Sequence, residues 1–317
     1  MSRFTRWTIM PAMAASVALL TTGTASALPA SHTSGTAKAS DIAYFVADLS
    51  GANEPRSVAS TSGDPNGYGV ALFRIEGNEV RYSIAWDNIL APGAAHIHQG
   101  VTGVNGPVKV GLFGSVLPAT VTSVVGRVTN ADTAMLNSIK NDPGLFYANV
   151  HNAEYPGGAI RGQFRKLESA VDVDILLGTG FLRAHLTGAE EVSDSGALGA
   201  GDLNGLGWAG IDVQGRRAAF ALKWSGIASP TAAHLHDGAK GADGPVVVPL
   251  FEAAGGLPKG VLGVGGYVRN LDPALLQRIR RNPAGFYANL HNTPFPAGAV
   301  RGQLRYRTDR EMQALGF

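Results

Sequence analysis

The sequence predicts an all-β protein: two tandem β-sandwich or barrel domains, each with one short helix. Three observations lead there. One unit of the chain occurs twice. Apolar residues inside each copy alternate with a period of two, as on a half-buried strand. The 42 glycines punctuate many short segments, as in sheets joined by turns.

The chain of 317 residues opens on what reads as an export signal over 1–27. Arg3 and Arg6 form a basic start, Trp7 to Leu20 is mostly apolar, and "ASA" at 25–27 has the small-residue cleavage pattern. The apolar run is short for a membrane span and contains Pro11. Cleavage after Ala27 is expected to leave a secreted or extracytoplasmic protein with no membrane span. Residues 28–40, "LPASHTSGTAKAS", read as a flexible lead-in.

The signal also carries the charge imbalance. Lys plus Arg number 26 and Asp plus Glu 24, so losing Arg3 and Arg6 leaves the two signs equal. No Lys/Arg block interleaved with aromatics is present, which argues against nucleic acid as a partner. Polybasic lipid binding is disfavoured for the same reason. The absence of cysteine excludes disulfides, zinc–thiolate sites, blue copper and cysteine nucleophiles. Stability must then come from burial, and the length suits two domains.

The copies align through "YSIAWDNILAPGAAHIHQGVTGVNGPVKVGLF" and "FALKWSGIASPTAAHLHDGAKGADGPVVVPLF". Trp86, His96 and His98 match Trp224, His234 and His236 at one fixed offset. "GLFYANVHNAEYPGGAIRGQF" and "AGFYANLHNTPFPAGAVRGQL" match His151 to His291 and Arg161 to Arg301. "LSGANEP" and "LTGAEEV" place Glu54 opposite Glu191. The units run over 41–167 and 178–307, followed by a tail at 308–317 with no clear element. The connection 168–177, within "LESAVDVDILLG", alternates apolar and acidic residues and reads as a continuing strand that would stiffen the junction.

Inside the first unit, Val80, Tyr82, Ile84 and Trp86 alternate with Arg81, Ser83 and Ala85. "GVALFRI" and the polar "EGNE" before them predict a hairpin. "VKVGLF" reads as a strand, and "FYANVHN" and "AIRGQFR" as a hairpin around "AEYPGG". In "NADTAMLNSIKNDPG", Asp132 caps a helix whose stripe is Met135, Leu136 and Ile139. In "NLDPALLQRIRRNPAG", Asp272 caps, Pro273 suits the first helical position, and Leu275, Leu276 and Ile279 face inward. Asn/Asp-Pro ends both helices. "GVNGPV" and "GADGPV" read as turns with positive φ at Asn105-Gly106 and Asp243-Gly244, not phosphate loops.

These motifs resemble the CHRD domain, the module named after chordin. The resemblance rests on "LSGANEP", "AAHIHQG…NGPVKVGLF" and "FYANVHN…GGAIRGQ", and on their counterparts "LTGAEEV", "AAHLHDG…DGPVVVPLF" and "FYANLHN…AGAVRGQ". It covers nearly all of the chain after the signal. It implies a secreted β-rich module and no defined reaction, and the expected partner is an extracellular protein or cell-surface component. The cysteine-rich companion domains of chordin are missing, which speaks against growth-factor antagonism.

Residues i and i+2 of a strand share a face, so His96 and His98 project side by side, roughly 6–7 Å apart at Cα. His151 shares a face with Asn149 and Tyr147. Neighbouring strands would bring the three imidazoles together, a donor set that suits zinc or copper. His234, His236 and His291 would form the second site. Asn149, Asn152, Asn289 and Asn292, with adjacent carbonyls, are expected to orient the rings. The competing explanation for His-x-His is a hydrogen-bonded polar seam. Glu54–Arg161 and Glu191–Arg301 are expected to be structural ion pairs that fix register. His32 and His185 have no counterpart in the other copy and are assigned no role.

No catalytic residue is assigned. Serine-hydrolase elbows and His-Glu-x-x-His helices do not occur. The leading expectation is a non-enzymatic binding or structural protein. The alternative is a copper-dependent redox protein, through a faint similarity to copper/zinc superoxide dismutase. That similarity lacks a fourth copper-ligand histidine, a bridging histidine and a cysteine pair.

Overall fold

The alternation that predicts strands becomes sheet throughout both copies. The computed structural model describes residues 41–55, 61–178, 180–193, 195–308 and 311. The predicted signal 1–27, the lead-in 28–40 and most of the tail 308–317 lie outside them. The first copy contributes β1 (Ala43–Ser50), β2 (Tyr68–Glu76), β3 (Glu79–Asp87), β4 (Pro92–Gln99), β5 (Val108–Phe113) and β6 (Val121–Val128). It continues with α1 (Thr133–Asn141), β7 (Phe146–Asn152), β8 (Ile160–Gln163) and β9 (Arg165–Leu167). The second copy contributes β10 (Leu182–Thr187), β11 (Leu206–Gln214), β12 (Arg217–Ser225), β13 (Pro230–Asp237), β14 (Val246–Glu252) and β15 (Val261–Val268). It ends with α2 (Pro273–Arg281), β16 (Phe286–Asn292), β17 (Val300–Gln303) and β18 (Arg305–Tyr306).

Every pairing is antiparallel. The first copy runs β5-β4-β7-β8-β1-β2-β3-β6, with β9 also against β1. The second repeats this as β14-β13-β16-β17-β10-β11-β12-β15, with β18 against β10. The sheet rolls toward a barrel, and Tyr82 Oη of β3 donates across its interior to the Leu112 carbonyl of β5, 2.9 Å away. Phe45, Phe73, Ile84, Ile97, Val150 and Phe164 fill that interior. Phe73 and Phe164 stack at 4.5 Å.

Both helices form as their caps dictate. The Asp132 carboxylate accepts from the Ala134 and Met135 amides, and Asp272 accepts from Ala274. Leu136 and Ile139, and Leu276 and Ile279, are buried, while Met135 and Leu275 are partly so. Among the described residues no helix is long and apolar enough to cross a membrane.

The two copies share one ladder. β6 pairs with β15, with Val124 opposite Val264 and Val121 opposite Gly266. A Cβ on Gly266 would sit 2.0 Å from the Thr120 carbonyl oxygen, so the close approach requires glycine. The connection departs from its predicted strand. β9 ends at Leu167, and Val173–Leu177 forms a 3-10 helix capped by Asp172. The physical reason is a change of period. Val173 and Leu176, three apart, pack together with Val46 and Leu72, and Leu177 packs with Val125 and Ala221.

This short helix clamps both copies. Asp174 accepts two bonds from Arg81, at 2.7 and 2.8 Å through Nη2, a third at 3.1 Å through Nε, and another from Lys223 of the second copy. Ser83 donates to the Val173 carbonyl. Ser83 and Ala85 are therefore buried too, and β3 is covered on both faces here rather than half-buried. Burial opposes ionisation of Asp174, yet the bonds from Lys223 and Arg81 hold its carboxyl below the usual carboxylate range.

The predicted positive φ at Asn105-Gly106 and Asp243-Gly244 is also corrected. It falls at Gly103 (φ +79°) and Gly241 (φ +78°). Gly106 is needed for space instead, since a Cβ there would lie 1.6 Å from the Gln99 carbonyl oxygen.

Candidate metal centre

On β4, Ala95 and Ile97 face the core, so His96 and His98 face outward. On β7, Phe146, Ala148 and Val150 face the core, which turns Tyr147, Asn149 and His151 outward. The register sets His96 opposite Asn149 and His98 opposite Tyr147, leaving His151 diagonal to His96. Ring centroids lie 5.0 Å apart for His96–His151, 5.5 Å for His96–His98 and 6.1 Å for His98–His151. In the second copy the matching values are 4.7, 5.7 and 6.0 Å for His234–His291, His234–His236 and His236–His291. One nitrogen from each ring lies within 4.8 Å of the other two in both triads.

Loops fix the rings from behind. His98 Nδ1 lies 2.9 Å from the Gly106 carbonyl and His151 Nδ1 lies 3.0 Å from that of Pro156. A carbonyl only accepts, so both Nδ1 atoms carry the proton and both Nε2 atoms are lone pairs. Those two Nε2 atoms and His96 Nδ1 are buried with no partner among the described residues. The second copy repeats this with His236 Nδ1 on Gly244 at 2.8 Å and His291 Nδ1 on Pro296 at 3.0 Å.

Burial, followed by the neighbouring His151 and His98, pushes the His96 imidazolium down to about 4. Burial lowers His98 and His151 as well, against their carbonyl bonds. In the second copy burial lowers His236, and burial with His234 lowers His291 to about 4. These rings are neutral near pH 7, the protonation state that ligates metal.

In the second triad one pair of rings is drawn closer. His234 Nδ1 lies 3.0 Å from His291 Nε2, while its Nε2 meets Glu252 Oε1 at 2.7 Å. If His234 gives Glu252 its proton, two lone pairs face each other at Nδ1 and Nε2. A cation between them resolves that clash. Tetrahedral zinc places ligand nitrogens about 3.4 Å apart, from bonds of about 2.0–2.1 Å.

Tyr147 stacks on His98 at 4.9 Å, and the Arg161 guanidinium lies 3.3 Å from the Tyr147 ring centroid. Tyr287, His236 and Arg301 repeat the stack at 4.6 and 3.4 Å. The Tyr–Arg stack escaped the sequence reading, although alternation along "FYANVHN" already put Tyr147 on the face of His151. Glu252 escaped it too, and its signal was a difference: the first copy has Gly114 there.

Two other expectations are corrected. Arg161 does not bond Glu54. It donates to Asn105 Oδ1 and the Val101 and Val104 carbonyls, at 3.2, 2.9 and 2.9 Å. Arg301 likewise donates to the Ala239 and Ala242 carbonyls rather than to Glu191. The loop carbonyls reach the guanidinium where it lies on the tyrosine, so the carboxylate is left out. Both Glu54 oxygens are buried without a partner among the described residues, and burial, against the charge of Arg161, pushes its carboxyl up to about 7. Glu191 rises to about 8 for the same first cause, although Asn289 donates to it at 3.3 Å.

No hydrogen bond joins the asparagines to the rings among the described residues; loop carbonyls hold His98, His151, His236 and His291, and Glu252 holds His234. Asn152 and Asn292 accept from the Tyr155 and Phe295 amides at 2.8 and 2.9 Å, which ties the hairpin turns. Asn149 lies beside Glu54 at Gly158, where an added Cβ would fall 2.4 Å from Glu54 Oε1 and 2.7 Å from Asn149 Oδ1. His185 is exposed on β10, away from either triad in the register; His32 lies outside the described residues.

The sequence model of the CHRD domain matches residues 45–164 and 182–304, one match per copy and well over half of the chain. No curated protein matches the chain significantly.

Proposed function

Since this chain belongs to the CHRD-domain family, we propose that it is an exported tandem CHRD protein whose two domains each bind one zinc or copper ion. His96, His98 and His151 hold the first ion and His234, His236 and His291 the second. The observation that carries this is the tautomer pattern. Carbonyls take the Nδ1 protons of four rings. In the first triad three buried ring nitrogens converge with no partner among the described residues, and in the second His236 Nε2 is left so beside the close His234 Nδ1–His291 Nε2 contact. A polar seam would pair donors with acceptors instead.

The metal supplies a fixed point that ties β4 to β7 and β13 to β16 beneath the covering loops. The protein is a binding module for an extracellular protein or cell-surface partner, and the leader-like segment 1–27 supports export from the cytoplasm. Metal analysis of the protein purified from the exported fraction tests this. About two equivalents of zinc or copper, falling to about one in His96→Ala, are expected. No bound metal, with wild-type melting in His96→Ala, overturns it. N-terminal sequencing of that material is expected to begin at Leu28.

A copper-dependent redox activity is the second reading, favoured by a donor set of three nitrogens that leaves coordination positions for another ligand. Superoxide consumption by the copper-loaded protein, lost in His96→Ala, is its test.

A further inference from the structure

The two centres differ in their carboxylates: Asp243, accepting from Tyr287 Oη at 2.7 Å, stands where the first copy has Asn105, and one ligand of the second centre has a carboxylate partner of its own. On the strand after the His-x-His pair, the first copy reads "VKVGLFG" and the second "VVVPLFE", so Gly114 stands where the second copy has Glu252. Glu252 Oε1 lies 2.7 Å from His234 Nε2. No hydrogen bond reaches His96 from any described residue, and its Nδ1 is unpartnered.

The Glu252 side chain is 66% exposed, so its bond to histidine adds little to folding stability. Its effect falls on the ligand. A carboxylate accepting from the far nitrogen of an imidazole fixes the tautomer and ring orientation and raises the basicity of the ligating nitrogen. In the second copy the far nitrogen is Nε2 and the ligating one is Nδ1. That Nδ1 already sits 3.0 Å from His291 Nε2. The equivalent His96 Nδ1 and His151 Nε2 make no such contact.

We infer that the centres are inequivalent. Glu252 is a positioning residue that makes the second centre the tight site, and the first, lacking it, is the weak, exchangeable one. Metal therefore loads in two steps, the second domain before the first. This rests on the metal reading above and adds the order of loading to it.

Zinc titration of the metal-free protein against a chelator of known affinity tests the inference. Two steps differing about 10–100-fold are expected, the range that such carboxylate partners contribute. His96→Ala is expected to keep the tight step and His234→Ala the weak one. Glu252→Gln is expected to merge the two, without changing the melting temperature of the metal-free protein. Gly114→Glu is expected to tighten the weak step, and a Cβ at Gly114 meets nothing within 4 Å, so the substitution fits. Two equivalents bound with indistinguishable affinities, or a split unmoved by Glu252→Gln, overturn the inference and leave the metal reading standing. No zinc bound at all overturns the metal reading itself.

Discussion

Arg161 lies flat on Tyr147, its Cζ 3.3 Å from the ring centroid, and Tyr147 lies in turn on His98. The stack couples a buried cation to a candidate ligand through one aromatic ring. It orients His98 from its face while the Gly106 carbonyl orients it from its edge.

Tyr147→Phe keeps the stack and loses only the bond from the Gly106 amide to the hydroxyl, 3.1 Å long. It is expected to cost about 1 kcal/mol and to leave metal stoichiometry unchanged. Tyr147→Ala removes a fully buried ring and is expected to cost about 3–5 kcal/mol. Urea denaturation with metal analysis measures both.

The stability of the metal-free protein depends on pH in two opposed ways. His96 and His291 titrate near 4 in the fold against 6.5 when unfolded. The unfolded chain therefore binds more protons between those values. Their contribution is complete above pH 6.5 and is lost as pH falls through 4. Urea midpoints taken between pH 7 and 4 are expected to drop, and less so in His96→Ala.

Glu54 and Glu191 act with the opposite sign, since the fold raises them from 4.5 to about 7 and about 8. Here the native state binds the extra proton. Stability is fully present below pH 4.5 and is lost as pH rises through 7 to 8. Glu54→Gln removes that loss and is expected to stabilise the protein at pH 8 by about 1–3 kcal/mol. The gain should shrink toward zero near pH 4.5, as read by urea midpoints at both values.

Gly266 lets β15 lie against β6. Gly266→Val is expected to force those strands apart, costing about 1–3 kcal/mol or more. Calorimetry should then resolve two unfolding transitions in place of one. Asp174→Ala, which frees Arg81 and Lys223 on either side of the junction, is expected to act in the same direction at about 1 kcal/mol, because both cations retain solvent access.

The repeat, the strands, the capped helices and the histidine triads were legible in the sequence because each rests on local period or on matched spacing. Asp132 and Asp272 announce helices by position, and His-x-His announces a shared face. The seam between copies was not legible. Nothing in "VTSVVGRV" says that its free side meets a second strand far along the chain. The junction at 173–177 misled because alternation and a period of three agree over so few residues. The partners of Glu54 and Arg161 also lay beyond sequence, since loop carbonyls, which carry no residue signature, won the guanidinium. Glu252 was visible as a mismatch between copies, but its meaning needed the position of His234 Nε2.

The shared ladder between β6 and β15 gives duplication a protective role. Each copy caps a margin that the other would leave bare, with its amides and carbonyls unmatched. A chain cut between the halves would expose that margin. Either half alone is then expected to recruit another molecule of itself along it, rebuilding between two chains the join that one chain makes internally.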